Sequence, residues 1–283
     1  MKSLNCVNLI GDTLYLLMPL KKYLEAHPGE VSSIIAEENL SGEIMFRTFS
    51  GSSVAVVFSE DAAFSKDPEA EFIRIDAGTA GRIAFTNYRS TGKILHISEA
   101  FASMLNVDIE GCVTPPTDWH CHPGLVLEKE WAAISPFTRS CTRHSGGKPN
   151  KTLDDWKWEP IIKSLRRHYG RVICIGGPTE RLKNCSLAES DYISDNNICD
   201  LETTFRKTAA FVSLDNGMAH IASSYGVNTL VLWPKASNRD FIAPVWSPKT
   251  VTLEIGDPNE ADPFQILVGI RKMLAWLEIG KKP

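Results

Sequence analysis

The chain has 283 residues, with 30 Lys and Arg against 34 Asp and Glu, for a formal net charge of -4. Hydrophobic residues make up 43% and charged residues 23%, a globular composition that excludes a largely disordered, collagen-like or coiled-coil chain. The negative balance excludes a global positive field, so contact with any polyanion requires a local basic patch.

Short apolar, β-branched runs alternate with helix-period segments along almost the whole length. That is the pattern of parallel sheets covered by helices, and it sets the class as α/β. The first acidic residue, Asp12, follows only a short apolar run, unlike a secretory signal, and no stretch approaches the roughly 20 apolar residues of a membrane span. The seven cysteines are scattered without a CxxC pair, the usage expected of a reducing, cytoplasmic compartment, with membrane contact limited to the surface.

In the first half, strands are predicted at Leu4–Ile10, Val31–Ala36, Val54–Ser59 and Glu71–Asp76. A helix is predicted from Thr13 to about Ala26, with Leu17, Leu20 and Leu24 on one face. Between Asp76 and Glu99 no acid occurs, while Arg82, Arg89 and Lys93 interleave with Phe85, Tyr88 and His96. A solvated surface explains such a run, and so does a contact for an anionic acceptor.

Pro115, Pro116, Pro123 and Gly124 crowd the stretch from Cys112 to Leu127, where periodicity disappears, and a domain linker is expected there. Cys112, His120, Cys121 and His122 in this stretch are zinc-ligand types. Their spacing matches no standard site, and adjacent ligands fit a tetrahedron poorly, so no metal is assigned.

The second half restarts with a strand at Trp131–Ser135 and a cation-rich loop holding Arg139, Arg143 and Lys151 without an acid. Such a loop beside a sheet edge suits a diphosphate, although solvated loops are built the same way. A helix over about Leu153–His168 presents Trp158, Ile161, Ile162 and Leu165 on one face. Strands at Arg171–Ile175, Ala210–Leu214 and Thr229–Trp233 each lead into a polar or glycine-bearing turn, which places a ligand crevice at the C-terminal edge of the sheet. A last helix over roughly Pro263–Leu277 closes the chain against either domain.

The most informative stretch is FVSLDNGMAHIASSYG, Phe211–Gly226. A strand ends at Asp215, the chain turns through Asn216 and Gly217, and a helix carrying Met218 and His220 opens. Such a turn presents backbone N–H groups and the positive end of a helix dipole to a phosphate. An ordinary helix cap at Asp215 or Asn216 would use the same residues.

With Asp215, Gly217, His220, Ala222 and Gly226 in register, this stretch resembles the D-x-G-x-x-H-x-A signature of glycosyltransferase family 9, the heptosyltransferase-like group of the GT-B fold. Leu9 to Leu14, LIGDTL, followed by Pro19 and Leu20, resembles the same family's first strand, Gly-Asp turn and Pro-containing helix. VICIGGPTE resembles its run ending in Gly-Gly-x-x-Glu, and Lys151 stands where the family has a lysine before the next helix, at a longer spacing to tryptophan.

The resemblance implies two Rossmann-like domains facing each other across a cleft, an acceptor-binding one over 1–127 and a donor-binding one over 128–283. It implies a nucleotide-sugar donor as substrate, no cofactor or metal, and an inverting transfer to an acceptor hydroxyl, with a lipopolysaccharide-type glycan as acceptor. Asp12 is then the catalytic general base. Donor binding falls to Lys151, Glu180, Asp215, Asn216, Gly217, Met218 and His220 with Arg139 and Arg143, and acceptor binding to Arg82, Arg89 and Lys93. Three other readings stay open: a phage-type transferase acting on hydroxymethylated DNA bases, a GT-B-fold nucleotide-sugar epimerase or hydrolase, and a non-catalytic sugar-nucleotide-binding module.

Overall fold

The computed structural model describes residues 2–6, 10–58, 71–138, 153–194, 197–234, 239–258 and 260–279. The chain divides into two compact units. One is Met1–Pro123 with Asp240–Trp246, and the other is Gly124–Arg239 with Ser247–Pro283. The chain thus returns to the first unit late in its length.

The first unit is built on β1 (Lys2–Asn5), α1 (Ile10–Ala26), β2 (Val31–Ala36), α2 (Leu40–Phe49), β3 (Ala55–Phe58), β4 (Glu71–Arg74), α3 (Ala77–Thr91) and α4 (Ile97–Met104). Its four strands form a parallel sheet in the order β3-β2-β1-β4. The strand order reverses between β1 and β4, so the C-terminal ends of these two strands flank the switch point of the sheet. Leu4, Leu14, Leu16, Leu17, Leu20, Ile34, Ile44 and Phe101 are fully buried and make the core.

The strand expected over Leu4–Ile10 ends at Asn5, and the helix expected from Thr13 already starts at Ile10. The difference is local: Gly11 and Asp12 join the first turn of α1, where a carboxylate complements the helix dipole. Asp12 is therefore not a residue standing before the helix.

The late segment Asp240–Trp246 is held in the first unit by specific contacts. Tyr15 Oη donates to Ile242 O, and the Tyr15 ring meets His96 and Trp246 edge-on at 5.0 and 5.4 Å. His96 Nε2 lies 3.1 Å from Ala243 O. His96 also caps α4, its Nδ1 accepting from Ser98 N at 3.3 Å while Glu99 Oε2 accepts from His96 N at 2.7 Å. A neutral imidazole protonated on Nε2 satisfies both nitrogens. His96 thus belongs to the interior, not to the acid-free surface that its neighbours in sequence form.

The second unit carries β5 (Trp131–Ser135), α5 (Asp155–Tyr169), β6 (Val172–Gly176), β7 (Tyr192–Ser194), α6 (Ile198–Lys207), β8 (Thr208–Leu214), α7 (Gly217–Ser224) and β9 (Asn228–Pro234), then, after α8 (Arg239–Ile242), which runs into the returning segment of the first unit, β10 (Thr250–Gly256) and α9 (Pro263–Ile279). Its six parallel strands lie in the order β10-β9-β8-β5-β6-β7. Numbered from β5, that is the 3-2-1-4-5-6 order of a doubly wound dinucleotide-binding sheet. Both units are α/β.

Trp158, Ile161, Ile162 and Leu165 of α5 are fully buried, as the helical spacing predicts. α9 packs on α5, β9 and β10, within the second unit. Among the described residues no helix is long and apolar enough to cross a membrane.

Burial holds the His96 pKa below its usual 6.5, against the opposing pulls of the Ala243 carbonyl and Glu99. Because the folded-state pKa is depressed, the unfolded chain binds the proton more readily, and stability falls as pH drops below about 6.5. Thermal unfolding should show a midpoint that decreases from pH 7 toward pH 5. His96→Asn, which keeps a capping acceptor and does not titrate, should flatten that slope; equal slopes in both proteins would refute the assignment.

Candidate functional site

In the second unit the strand order reverses between β5 and β8, and open α/β sheets bind ligands outside the strand ends at such a point. β8 ends at Leu214, the chain turns through Asp215 and Asn216, and α7 starts at Gly217. The first amides of α7, those of Gly217 and Met218, have no carbonyl four residues back within the helix. This end carries the positive part of the helix dipole and lies at the C-terminal end of β8, beside the switch point.

The side chains of this turn have other tasks. Asp215, Met218 and His220 are all buried, at 6%, 5% and 4% exposure. Their side chains are largely covered.

Asn216 ties two strands together. Its Nδ2 donates to Phe137 O at 2.8 Å, to Ser135 Oγ at 3.0 Å and to Ser135 O at 3.2 Å. Its Oδ1 accepts from Ala219 N at 3.2 Å, capping α7, and lies 3.0 Å from Ser213 Oγ. Ser135 and Ser213 are register partners at the ends of β5 and β8. The amide therefore bridges the two lips of the switch point, and the cap reading of this residue and the phosphate-turn reading meet in one side chain.

The next strand continues the edge. Glu180 Oε2 accepts from Gly177 N at 2.7 Å, folding the carboxylate back over the turn after β6. A Cβ on Gly176 would lie 2.6 Å from the Phe137 ring, and one on Gly177 would lie 3.3 Å from Glu180. Glycine at 176 lets the Phe137 ring approach the backbone, whereas at 177 a Cβ would displace the Glu180 carboxylate by only a few tenths of an ångström. The structure thus brings Asn216, Gly217, Met218 and Glu180 to one edge of one sheet. Arg139, Arg143 and Lys151 lie outside the described residues.

In the first unit Asp12 sits half-buried in the first turn of α1, beyond the C-terminal end of β1 and at the switch point of that sheet. Cys6, at the end of the same strand, is buried, and its thiol is pushed up to about 12 by desolvation. It stays protonated and is no nucleophile. Asp12 is the acidic residue of the first turn of α1.

Across the switch point Asp76 caps α3, accepting from Thr79 N at 3.0 Å. Arg82 donates to Thr79 Oγ1 at 2.9 Å, and Arg89 lies 4.5 Å over the Phe85 ring. Only Ala80 and Ala84 of α3 are buried. Arg82, Arg89 and Lys93 are exposed, as are Phe85 and Tyr88. Near the former linker, Cys112 Sγ is a free thiol donating to Asp108 O, and no three His, Cys, Asp or Glu side chains converge as a metal set among the described residues.

Solved structures share this arrangement. Superposition on the E. coli heptosyltransferase WaaC with ADP gives a TM-score of 0.62 at 14% identity, covering 96% of this chain and 100% of that one. The glycosyl transferase family 9 protein of Veillonella parvula gives 0.61 at 13% identity, covering 97% of both chains. The fold is that of the heptosyltransferases. The iron-containing dodecameric glycosyltransferase TibC of enterotoxigenic E. coli gives 0.60 at 12%, covering 88% of this chain and 62% of that one. No protein-family model and no curated protein matches the sequence. This heptosyltransferase-like, GT-B-type fold accounts for the two doubly wound sheets and for a switch point in each.

The sequence reading missed Ser135, Phe137 and Ser213. A small polar residue at or next to the last position of each buried strand, in AIS and VSL, is the signal that could have found the two serines. Nothing local marks Phe137, whose partner Gly176 is distant in sequence.

Asn216→Ala removes the cap, worth about 1 kcal/mol, and takes the Asn216 donor from the Phe137 carbonyl, at about 1–3 kcal/mol, while the Ser135 carbonyl keeps the Ser213 hydroxyl. Urea unfolding should show the second unit destabilised by about 2–4 kcal/mol in total. Unchanged stability would contradict the bridging role.

Proposed function

We propose that the chain is a glycosyltransferase that moves a sugar from a nucleotide-sugar donor, held by the second unit, to an acceptor hydroxyl. The observation that carries this reading is the coincidence of sequence and topology: within a heptosyltransferase-like fold, the D-x-G-x-x-H turn and the Gly-Asp turn each fall at a sheet's switch point. Either motif alone has an ordinary structural explanation. Together, at two switch points, they match the needs of sugar transfer.

In the proposed step the acceptor oxygen attacks the anomeric carbon while the bond from that carbon to the diphosphate breaks. The acceptor proton passes to the Asp12 carboxylate, the leaving diphosphate takes the bonding electrons, and the configuration at the anomeric carbon inverts. The N-terminus of α7 and the cations Arg139, Arg143 and Lys151 stabilise the charge on the departing diphosphate, with no metal needed. Glu180, with one oxygen on Gly177 N, accepts the ribose hydroxyls.

The acceptor is read from α3. From Ala77 to Ser98 the chain has three exposed cations, Arg82, Arg89 and Lys93, and no acid. That surface supports an anionic acceptor, first a lipopolysaccharide-type glycan carrying phosphate. The exposed Phe85 and Tyr88 between the cations favour a second reading, hydroxymethylated DNA, because aromatic faces stack on bases.

The test is nucleotide release from a panel of nucleotide sugars, with and without lipopolysaccharide core and hydroxymethylated DNA. Turnover that requires an acceptor is expected, and the acceptor that supports it decides between the two readings. Donor consumed without acceptor would replace the transferase with an epimerase or hydrolase, and donor bound but never consumed would leave a binding module.

Asp12→Asn should lower kcat by at least about 100-fold, the scale of lost general-base catalysis, while the donor Kd stays within a factor of two or so. Loss of donor binding together with turnover would remove Asp12 from the catalytic role. Turnover should also persist in EDTA; its disappearance there, and its return with a divalent cation, would overturn the metal-free step.

A further inference from the structure

The residues that bridge the ligand edge of the second unit form one continuous chain across three strands. Asn216, after β8, holds the loop after β5 through Ser135 and Phe137. The Phe137 ring packs on Gly176 at the end of β6, close enough that no Cβ fits between them. Gly177 then holds Glu180 by a 2.7 Å hydrogen bond from its backbone N–H. One end of this chain is the amide-bearing terminus of α7, and the other is a carboxylate.

These two ends suit the two ends of one ligand class. A helix N-terminus takes a diphosphate, and a carboxylate takes a vicinal diol such as a ribose. The distance between the subsites is fixed by the groups lying between them, the Asn216 amide and the Phe137 ring. Neither group has to touch the ligand. The amide nitrogen is occupied by three protein acceptors and its oxygen by the cap of α7.

The geometry points to Asn216 and Phe137 as positioning residues that set the separation of the α7 N-terminus from Glu180, and so make the second unit read a nucleoside diphosphate as one rigid length. This rests on the donor reading given above. It reassigns Asn216 from a donor contact to the group that spaces the contacts, and it adds Phe137, which the motifs did not contain.

Two variants separate positioning from mere folding. Asn216→Ser keeps a side-chain oxygen competent to cap α7 and loses all three Nδ2 donations. Phe137→Ala leaves the cap intact and removes the spacer against Gly176, with Phe137→Leu as the conservative control. For each protein, calorimetric titration gives the Kd of inorganic pyrophosphate and of whichever among ADP, UDP, GDP and CDP the wild-type protein binds most tightly.

The wild-type protein should hold the nucleoside diphosphate at least about tenfold more tightly than pyrophosphate. In Asn216→Ser and Phe137→Ala that advantage should shrink about tenfold while pyrophosphate affinity stays near wild type, and Phe137→Leu should restore most of it. A preserved advantage in both variants would overturn the inference, as would an equal weakening of both ligands, which marks a purely structural role. A wild-type protein that binds none of the four nucleotides would instead bring down the donor reading and this inference with it. If Asn216→Ser fails to fold, Phe137→Ala and Phe137→Leu decide the matter alone.

Discussion

The second unit depends on a single amide. Asn216 sits where the strand order of the doubly wound sheet reverses, just beyond the paired ends of β5 and β8. There the Asn216 Nδ2 donates to the Phe137 carbonyl beyond the end of β5 and shares the Ser135 carbonyl with the Ser213 hydroxyl. Each such hydrogen bond contributes only about 0.5–1.5 kcal/mol net, but leaving a buried carbonyl unpaired costs about 1–3 kcal/mol. The same side chain caps α7.

The first unit solves a related problem differently. Its sheet has four strands, and its switch point carries Asp12 on one lip and the capped start of α3 on the other. The returning segment Asp240–Trp246 covers Tyr15 and His96, two polar aromatics that the unit would otherwise bury with their hydrogen bonds unmade. Backbone carbonyls from late in the chain complete them. The unit is therefore assembled from two separate stretches of the sequence, and no contiguous stretch contains all of it.

What was legible in the sequence follows from burial. β5 falls on the expected Trp131–Ser135, and α5 presents the expected face, because both bury large apolar side chains at a clear period. α3 was not legible as a helix: it buries only Ala80 and Ala84, so no apolar stripe marks it. α2 and α6 are ten residues each, and β7 is three, too short for periodicity to speak. β10 lies half-exposed at the sheet edge. At the candidate site the motif letters located the turn correctly, while the tasks of its side chains depended on partners more than seventy residues away in sequence, Ser135 and Phe137 for Asn216. The aspartate and histidine of the signature, Asp215 and His220, are interior groups, and only the fold reveals it.

The account's central claim is that a nucleotide sugar lies along the C-terminal edge of β8, β5 and β6. Hydrogen exchange followed by mass spectrometry, with and without the preferred nucleotide sugar, tests it most directly. The account predicts slowed exchange at the Gly217 and Met218 amides and at the Gly176–Glu180 turn, with α3 unaffected by donor alone. Donor binding that protects α3 or the first unit instead, and leaves the α7 terminus exchanging as in the free protein, would contradict it.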